Sequence, residues 1–447
     1  MAELKRTLGL WGAAGIGIGA IIGTGIFVLI GVASGIAGPA VIISFLIAGL
    51  TALLTGLSTA ELSSFITESG GSYIYATKAF GRLPGFVVGW MKSFDYIVGA
   101  SAVSIGFAAY FTYFAGIPSA VGTLVIVGSL WPLILMALNL RGMKEASGMN
   151  NVLVALKISA LVLFIAVGGL YLFAHGDFSN YHPFFPRGIS GAFSGASIIF
   201  FAFIGFNTIA VIAEEVKDPE KNVPRAVLIS FAICTLLYIG VSVVSVGLLN
   251  WQVLGLSSAP LEAALRVATD NFLILEFIAL SALFATTSVI MSSIIGGSRA
   301  LFAMARQGVI PEIFTRISGQ GIPFFAVLIT GLTIGAIVFF TNGNLNWLAS
   351  IFNFGTLVTF FFTNASLLRL RRTMPGAKRG FRVPLYPFTP VLGMGSCLFL
   401  SFYLSMNALL VGLGWIAIGI LAYMVNRKRY HELPKGGGEG RTGARKV

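Results

Sequence analysis

Two of the long apolar stretches in this chain are interrupted at mid-depth. The first reads Gly17-Ile18-Gly19-Ala20-Ile21-Ile22-Gly23-Thr24-Gly25-Ile26-Phe27, and the second, about halfway along, reads Phe200-Phe201-Ala202-Phe203-Ile204-Gly205-Phe206-Asn207. Each glycine costs a helix roughly 1 kcal/mol relative to alanine, so Gly17, Gly19, Gly23 and Gly25 on successive turns, with Thr24 among them, predict a break. Unwound backbone inside a bilayer survives only where it is buried in protein or lines a cavity. Two such breaks in corresponding halves of a chain bring half-helix N-termini and bare carbonyls to one place, where a zwitterion and its coupling ion can bind.

Composition places these stretches in a membrane. A mean hydropathy of +0.91, with 56% hydrophobic and 10% charged residues, is far from the roughly 25% charged of globular chains. Asking for about 20 apolar residues per span gives an all-α membrane protein with twelve segments. The first six are Trp11 to Ala33, Ala40 to Ser64, Gly85 to Tyr113, Val121 to Leu140, Met149 to Ala174 and Ala192 to Ala213. The second six are Ala226 to Leu249, Phe272 to Ala303, Pro323 to Phe340, Leu348 to Leu370, Pro387 to Leu404 and Ala408 to Val425. The first segment lacks a small-residue cleavage site and leads directly into the second, which argues against a cleavable signal peptide.

The net charge of +13 reads as topology rather than as affinity for nucleic acid. Lys92 and Lys157 lie inside spans, only Arg187 and Arg266 fall in odd-numbered loops, and the other basic residues sit in even-numbered loops, at helix ends or near the termini. By the positive-inside rule both termini are cytoplasmic in a multi-pass plasma or inner membrane protein. Residues 1–10 read as a cytoplasmic N-terminus and 426–447 as a disordered basic tail that can touch anionic lipid. Cys234 and Cys397 have no metal-type spacing, and His175, His182 and His431 form no cluster, so neither a disulfide framework, a metal site nor a catalytic constellation is indicated. There is no phosphate-binding Gly-x-x-x-x-Gly-Lys-[Ser/Thr] loop. An enzyme is therefore not expected, nor a cofactor, and any pumping draws on an ion or substrate gradient.

Several motifs carry a family resemblance. They are the break at Gly23 to Phe27, the run Glu61-Leu62 through Gly70-Gly71-Ser72-Tyr73 to Gly89-Trp90, and Phe200 to Asn207 leading into Glu214-Glu215-Val216-Lys217-Asp218-Pro219. Arg299 to Gly308 with Pro311, and Arg379-Gly380-Phe381-Arg382-Val383-Pro384, complete the set. In this order and spacing the chain, from about Leu8 to Tyr423, resembles the amino acid-polyamine-organocation transporter superfamily, in particular its proton-coupled and cationic amino acid branch. The resemblance implies the leucine-transporter-like fold, with discontinuous helices one and six. Residues 11–175 would form one inverted repeat, 190–370 the second, and 386–425 two peripheral helices.

At the breaks, Ile22 to Gly25 supply N–H groups at the positive end of a half-helix for a substrate carboxylate, and unwinding around Ala202 to Gly205 supplies carbonyls for its ammonium. By resemblance, Phe203 would cover the pocket. Asn207 stands where relatives often carry an acid; an amide cannot balance a cationic side chain, which favours neutral amino acids.

Lys157 falls about 12 Å into the fifth span at 1.5 Å per residue, and intramembrane lysines are functional candidates by default. By resemblance its ammonium takes the place of a sodium ion between the first and eighth spans, with the backbone at Gly19 and the hydroxyls of Thr287 or Ser288 as neighbours. Burial disfavours the charged form of an amine, so such a lysine can carry a proton. Lys92 and Asp95, three apart on one helix face, are expected to neutralise one another. Glu214 and Glu215 with Lys217 and Arg225 are expected to form an ion-pair network. The sequence thus points to a secondary transporter importing neutral amino acids with protons by alternating access. The alternatives are an exchanger or sodium-coupled carrier and, from another class, an amino-acid-sensing receptor. Amino acid and membrane lipid are the expected partners, with no nucleic acid and no obligatory protein partner.

Overall fold

A computed structural model describes residues 8–425 apart from 67, 69, 142–146, 207, 210–214, 307, 309 and 319–320, and leaves aside the side chains of 147–151. Asn207, Glu214 and the basic tail therefore lie outside the described residues. Helices follow one another as α1 (Leu10–Ile21), α2 (Thr24–Phe27), α3 (Leu29–Ala37), α4 (Val41–Phe65), α5 (Ser72–Phe80), α6 (Arg82–Phe114), α7 (Val121–Leu140), α8 (Ser147–His175) and α9 (Gly188–Ile199). After a 3₁₀ turn at Phe200–Phe203 come α10 (Pro219–Leu248), α11 (Trp251–Leu256), α12 (Pro260–Ala268), α13 (Phe272–Arg306), α14 (Phe324–Phe340), α15 (Leu345–Thr373), α16 (Phe388–Ser401) and α17 (Met406–Val425). Among the described residues there is no strand, only two isolated bridges.

Eight stretches are long and apolar enough to cross a membrane, the first of them, Leu29–Phe65, taking in the turn at Gly38. Four shorter apolar helices accompany them: Leu10–Ile21, Gly188–Phe203, Phe324–Phe340 and Phe388–Ser401. The short helices α5, α11 and α12 escape a hydropathy reading because none is long enough to span. Between α5 and α6, Gly81 takes φ +91° with open space beside it, so the left-handed backbone alone calls for glycine there.

Buried small and hydroxyl side chains let the inner helices pack closely, and many of the hydroxyls bond back along their own helices, as Ser104 to Ala100 O at 2.7 Å and Thr286 to Ala282 O at 2.8 Å, while others, such as Ser34 and Thr59, have no partner among the described residues. In the absence of a hydrophobic driving force between spans, such close approach is what holds them together. Longer-range polar ties add to it. Asn353 of α15 donates to Ser197 O at 2.6 Å and Ile198 O at 3.0 Å on α9, and Asn364 bridges Ser58 and Thr55 of α4 at 2.6 and 2.8 Å.

At the end of the bundle that carries Leu8, one carboxylate organises three segments. Glu61, fully buried on α4, accepts a bidentate pair from Arg371 of α15 at 2.7 and 2.5 Å. It also accepts the Val383 N–H at 2.7 Å and faces Arg379 Nε at 3.2 Å. Both guanidiniums lie over rings, Arg371 over Tyr386 at 3.9 Å and Arg379 over Phe65 at 4.8 Å. The Glu61-Leu62 and Arg379–Pro384 motifs are thus two halves of one contact.

The network expected around Glu215 takes a different form. Among the described residues Glu215 makes no ion pair with Lys217 or Arg225, whose exposed side chains would gain little from one. The backbone is what pairs: Leu8 N–H donates to Glu215 O at 3.0 Å and Lys217 N–H to Leu8 O at 2.8 Å, a parallel bridge between Leu8 and Val216.

Candidate functional site

The first break falls between α1 and α2. Ile22 still donates to Ile18 O at 2.9 Å, but Gly23 is extended at φ −156°, ψ −149°. The α2 turn then restarts with Ile26 and Phe27 bonded back to Gly23 O at 3.3 and 3.4 Å. No backbone carbonyl among the described residues accepts from the N–H groups of Gly23, Thr24 or Gly25. They are the unsatisfied first donors of a helical segment. The Thr24 hydroxyl, 1% exposed, is likewise without a hydrogen-bond partner.

The second break runs from the 3₁₀ turn at Phe200–Phe203 through Ile204, whose ψ of 115° takes it out of the helix. The two breaks pack on each other through glycine. A Cβ on Gly25 would overlap Ala202 Cα, and one on Gly205 would come 2.5 Å from Ala20 C and 2.6 Å from its oxygen. Backbone meets backbone at both crossings, which no other residue type allows.

Tyr238 of α10 joins them. Its hydroxyl lies 2.9 Å from Ile21 O and 3.1 Å from Ala202 O, one carbonyl from each break. Its ring is fully buried between Phe45 at 5.8 Å and Phe203 at 5.3 Å. Tyr110 of α6 makes a similar bond to Phe27 O at 2.8 Å, where Val28 interrupts the step from α2 to α3. The sequence reading passed over both tyrosines. Their signal was present: a tyrosine in mid-span has to find a partner for its O–H.

Lys157, 1% exposed, is buried against α1. Its Nζ donates to Gly19 O at 2.9 Å and to Ser288 Oγ of α13 at 3.0 Å, so three helices converge on it. Ser288 in turn donates to Ala285 O at 3.0 Å. Thr287, one residue away and so on another helix face, instead accepts from Trp131 Nε1 at 3.2 Å.

Phe203, expected from the resemblance to cover the pocket, is packed among other aromatic rings. Its ring is fully enclosed by Phe45, Phe231 and Tyr238 and lies against Gly49. The neighbouring Phe201, 8% exposed, points elsewhere and pairs with Phe352 of α15 at 4.5 Å, whose ring in turn lies over Gly99 of α6. Period and spacing could not tell the two rings apart, because the 3₁₀ turn changes which side each faces.

Asp95 is buried on α6, 3.8 Å from the part-exposed Lys92 and 3.4 Å from Thr356 Oγ1. Its Oδ1 has no hydrogen-bond partner and packs against Gly355. A largely apolar cleft of about 400 Å³ opens between α6, α14, α15 and α17, lined by Phe94, Val98, Phe340 and Trp347 among others. No residue of either break lines it, so freed backbone cannot serve a ligand there. Among the described residues no group of three or more His, Cys, Asp or Glu could hold a metal.

Residues 12–428 match the amino acid permease family. The chain belongs to it. Among its relatives, the branched-chain amino acid permease of Bacillus subtilis (strain 168) is 34% identical over 96% of this chain and 95% of its own length. The methylthioribose transporter of the same organism is 35% identical, covering 97% and 96%. The vacuolar cationic amino acid transporter 2 of Arabidopsis thaliana is 33% identical over 83% of this chain and 61% of its own. This permease is accordingly a multi-span membrane transporter and not an enzyme.

Proposed function

We propose that this permease is a twelve-span plasma-membrane importer of neutral, apolar amino acids, built as two inverted five-helix repeats with both termini cytoplasmic. It works by alternating access with proton symport. In this reading the N–H groups of Gly23, Thr24 and Gly25 receive the substrate carboxylate at the positive end of the restarted helix, and the carbonyls freed between Ala202 and Gly205 face the ammonium. The Phe201–Phe352 pair, rather than Phe203, borders the substrate side chain. The uncharged amide of Asn207, and the names of the branched-chain relatives in Bacillus subtilis and Lactococcus lactis, support an apolar side chain over a cationic one.

The observation that carries the reading is the position of Lys157. Its ammonium is bonded to Gly19 O, on the last turn of α1 before the break, and to Ser288 on α13. A proton gained or lost there changes a tie between the substrate-binding helix and two others. Substrate and proton then bias the same two-state element, which is what coupling requires.

The test is uptake of radiolabelled L-leucine into proteoliposomes under an inward proton gradient, with wild type, Lys157→Ala, a sodium arm, an arm preloaded with unlabelled leucine, and an arm with labelled methylthioribose in place of leucine. Proton-driven accumulation that falls to background in Lys157→Ala is expected. Uptake that ignores pH and needs sodium or internal amino acid would remove the lysine from the mechanism. Uptake of labelled methylthioribose without uptake of leucine would change the substrate class, since that sugar carries neither carboxylate nor ammonium.

A further inference from the structure

We infer that Tyr238 is a positioning residue of the transport site: its hydroxyl holds one carbonyl from each broken helix at a common point, so that the two breaks move as a pair and present converging acceptors to the substrate ammonium. The inference rests on the reading of the breaks as the substrate site only for its ammonium half.

The hydroxyl stands 2.9 Å from Ile21 O and 3.1 Å from Ala202 O, residues 181 apart in the chain that belong to opposite breaks. A phenol has one hydrogen, so it serves the two acceptors by sharing or alternation. Each carbonyl has two lone pairs, leaving capacity for a second donor such as an ammonium. The donor itself is fixed in place. Tyr238 is fully buried, its ring is gripped by Phe45 and by Phe203, and Phe203 stands one residue after Ala202 on the very segment the hydroxyl restrains. That is the use to which the enclosed Phe203 is put.

Gly25 against Ala202 and Gly205 against Ala20 bring the breaks together but exert no directional hold. A backbone carbonyl released from a helix and buried needs a partner, and the single O–H of Tyr238 is placed within reach of one such carbonyl on each side. Tyr110 provides the matched comparison: it too is a buried tyrosine bonded to a carbonyl of the broken first helix, Phe27 O at 2.8 Å, but its other backbone partner is Leu261 of α12 and not a residue of the second break.

The experiment compares wild type, Tyr238→Phe and Tyr110→Phe in two arms. The first needs no ligand: amide hydrogen exchange of the purified full-length protein, followed in peptides covering 18–27 and 198–206. Tyr238→Phe is expected to speed exchange in both peptides together by about tenfold, the loss of one net hydrogen bond, whereas Tyr110→Phe speeds only the first. Unchanged exchange in Tyr238→Phe, or a change confined to one peptide, overturns the inference. The second arm measures binding of L-leucine and N-methyl-L-leucine. Tyr238→Phe is expected to weaken L-leucine about tenfold and the N-methyl compound distinctly less, because part of its ammonium contact is already lost. Equal weakening of both ligands marks a merely structural residue and overturns the ammonium half. Wild type that binds neither ligand refutes the proposed substrate, and the exchange arm then decides the coupling of the breaks by itself.

Discussion

Gly25 and Gly205 make no contact that a side chain could improve, since the atoms a Cβ would meet are opposing backbone rather than the movable end of a side chain. Overpacking of that kind costs about 1–3 kcal/mol even where neighbours can shift, so Gly25→Ala and Gly205→Ala should each lower the melting temperature and the yield of monodisperse protein. Gly15, on the same helix α1 with nothing within 4 Å of its missing Cβ, supplies the contrast. Gly15→Ala should be neutral or stabilising by up to about 1 kcal/mol through helix propensity. Equal losses at all three positions would mean that glycine is needed for something other than the crossing. Phe203→Ala should likewise destabilise, by on the order of 3–5 kcal/mol as for other enclosed aromatics, and should weaken L-leucine no more than Tyr238→Phe does, since it acts on the substrate only through the ring of Tyr238. An unchanged melting temperature with altered substrate selectivity would return Phe203 to the pocket wall. The glycines and Lys157 could be singled out from the sequence because each violates what a lipid-embedded helix ordinarily contains. The distinction between Phe201 and Phe203, or between Thr287 and Ser288, could not, because it turns on the direction of a side chain one residue away.

Between elements, the contact at Glu61 holds α4, α15 and the segment 374–387 through a single buried carboxylate. Removing one partner of a buried ion pair typically costs about 3–5 kcal/mol, since the other charge is left uncompensated. Arg371 supplies the bidentate half of the contact, so Arg371→Ala should fall in that range in thermal unfolding, with Arg379→Ala smaller because its Nε stands at 3.2 Å and its other donors reach backbone carbonyls. A melting temperature unmoved by Arg371→Ala would show that the pairing contributes little to the fold. The two motifs that make this contact were visible as patterns, but the pairing joins residues 310 apart, and nothing in either motif names the other. The same holds for Tyr238, which reaches back 217 residues to Ile21. Local rules give breaks, caps and turns; which helix faces which depends on packing that one sequence does not spell out.

At the scale of the whole molecule, the proposed alternating access requires the bundle to open at each end in turn, and the Leu8 end is tied in this structure by a backbone bridge as well as by the side-chain contact at Glu61. The parallel bridge between Leu8 and Val216 joins the entry to α1 with the chain that follows the second break. If α1 swings away from the bundle to release substrate, this bridge has to part or its two strands have to travel together. Paired backbones run about 4.8 Å apart, within the roughly 4.4–6.8 Å that a disulfide spans between Cα atoms. The doubly substituted protein, Leu8→Cys with Val216→Cys, can therefore be locked by mild oxidation, and the native Cys234 and Cys397 are both buried. Leucine uptake into proteoliposomes should stop on oxidation and return with a thiol reductant, while each single variant ignores both treatments. Binding of leucine measured in detergent should survive the lock, because the bridge lies outside the breaks and closes a route rather than a site. Full-rate uptake by the cross-linked protein would mean that Leu8 and the segment after the second break move as one body, and would shift the point of opening to the contacts around Glu61.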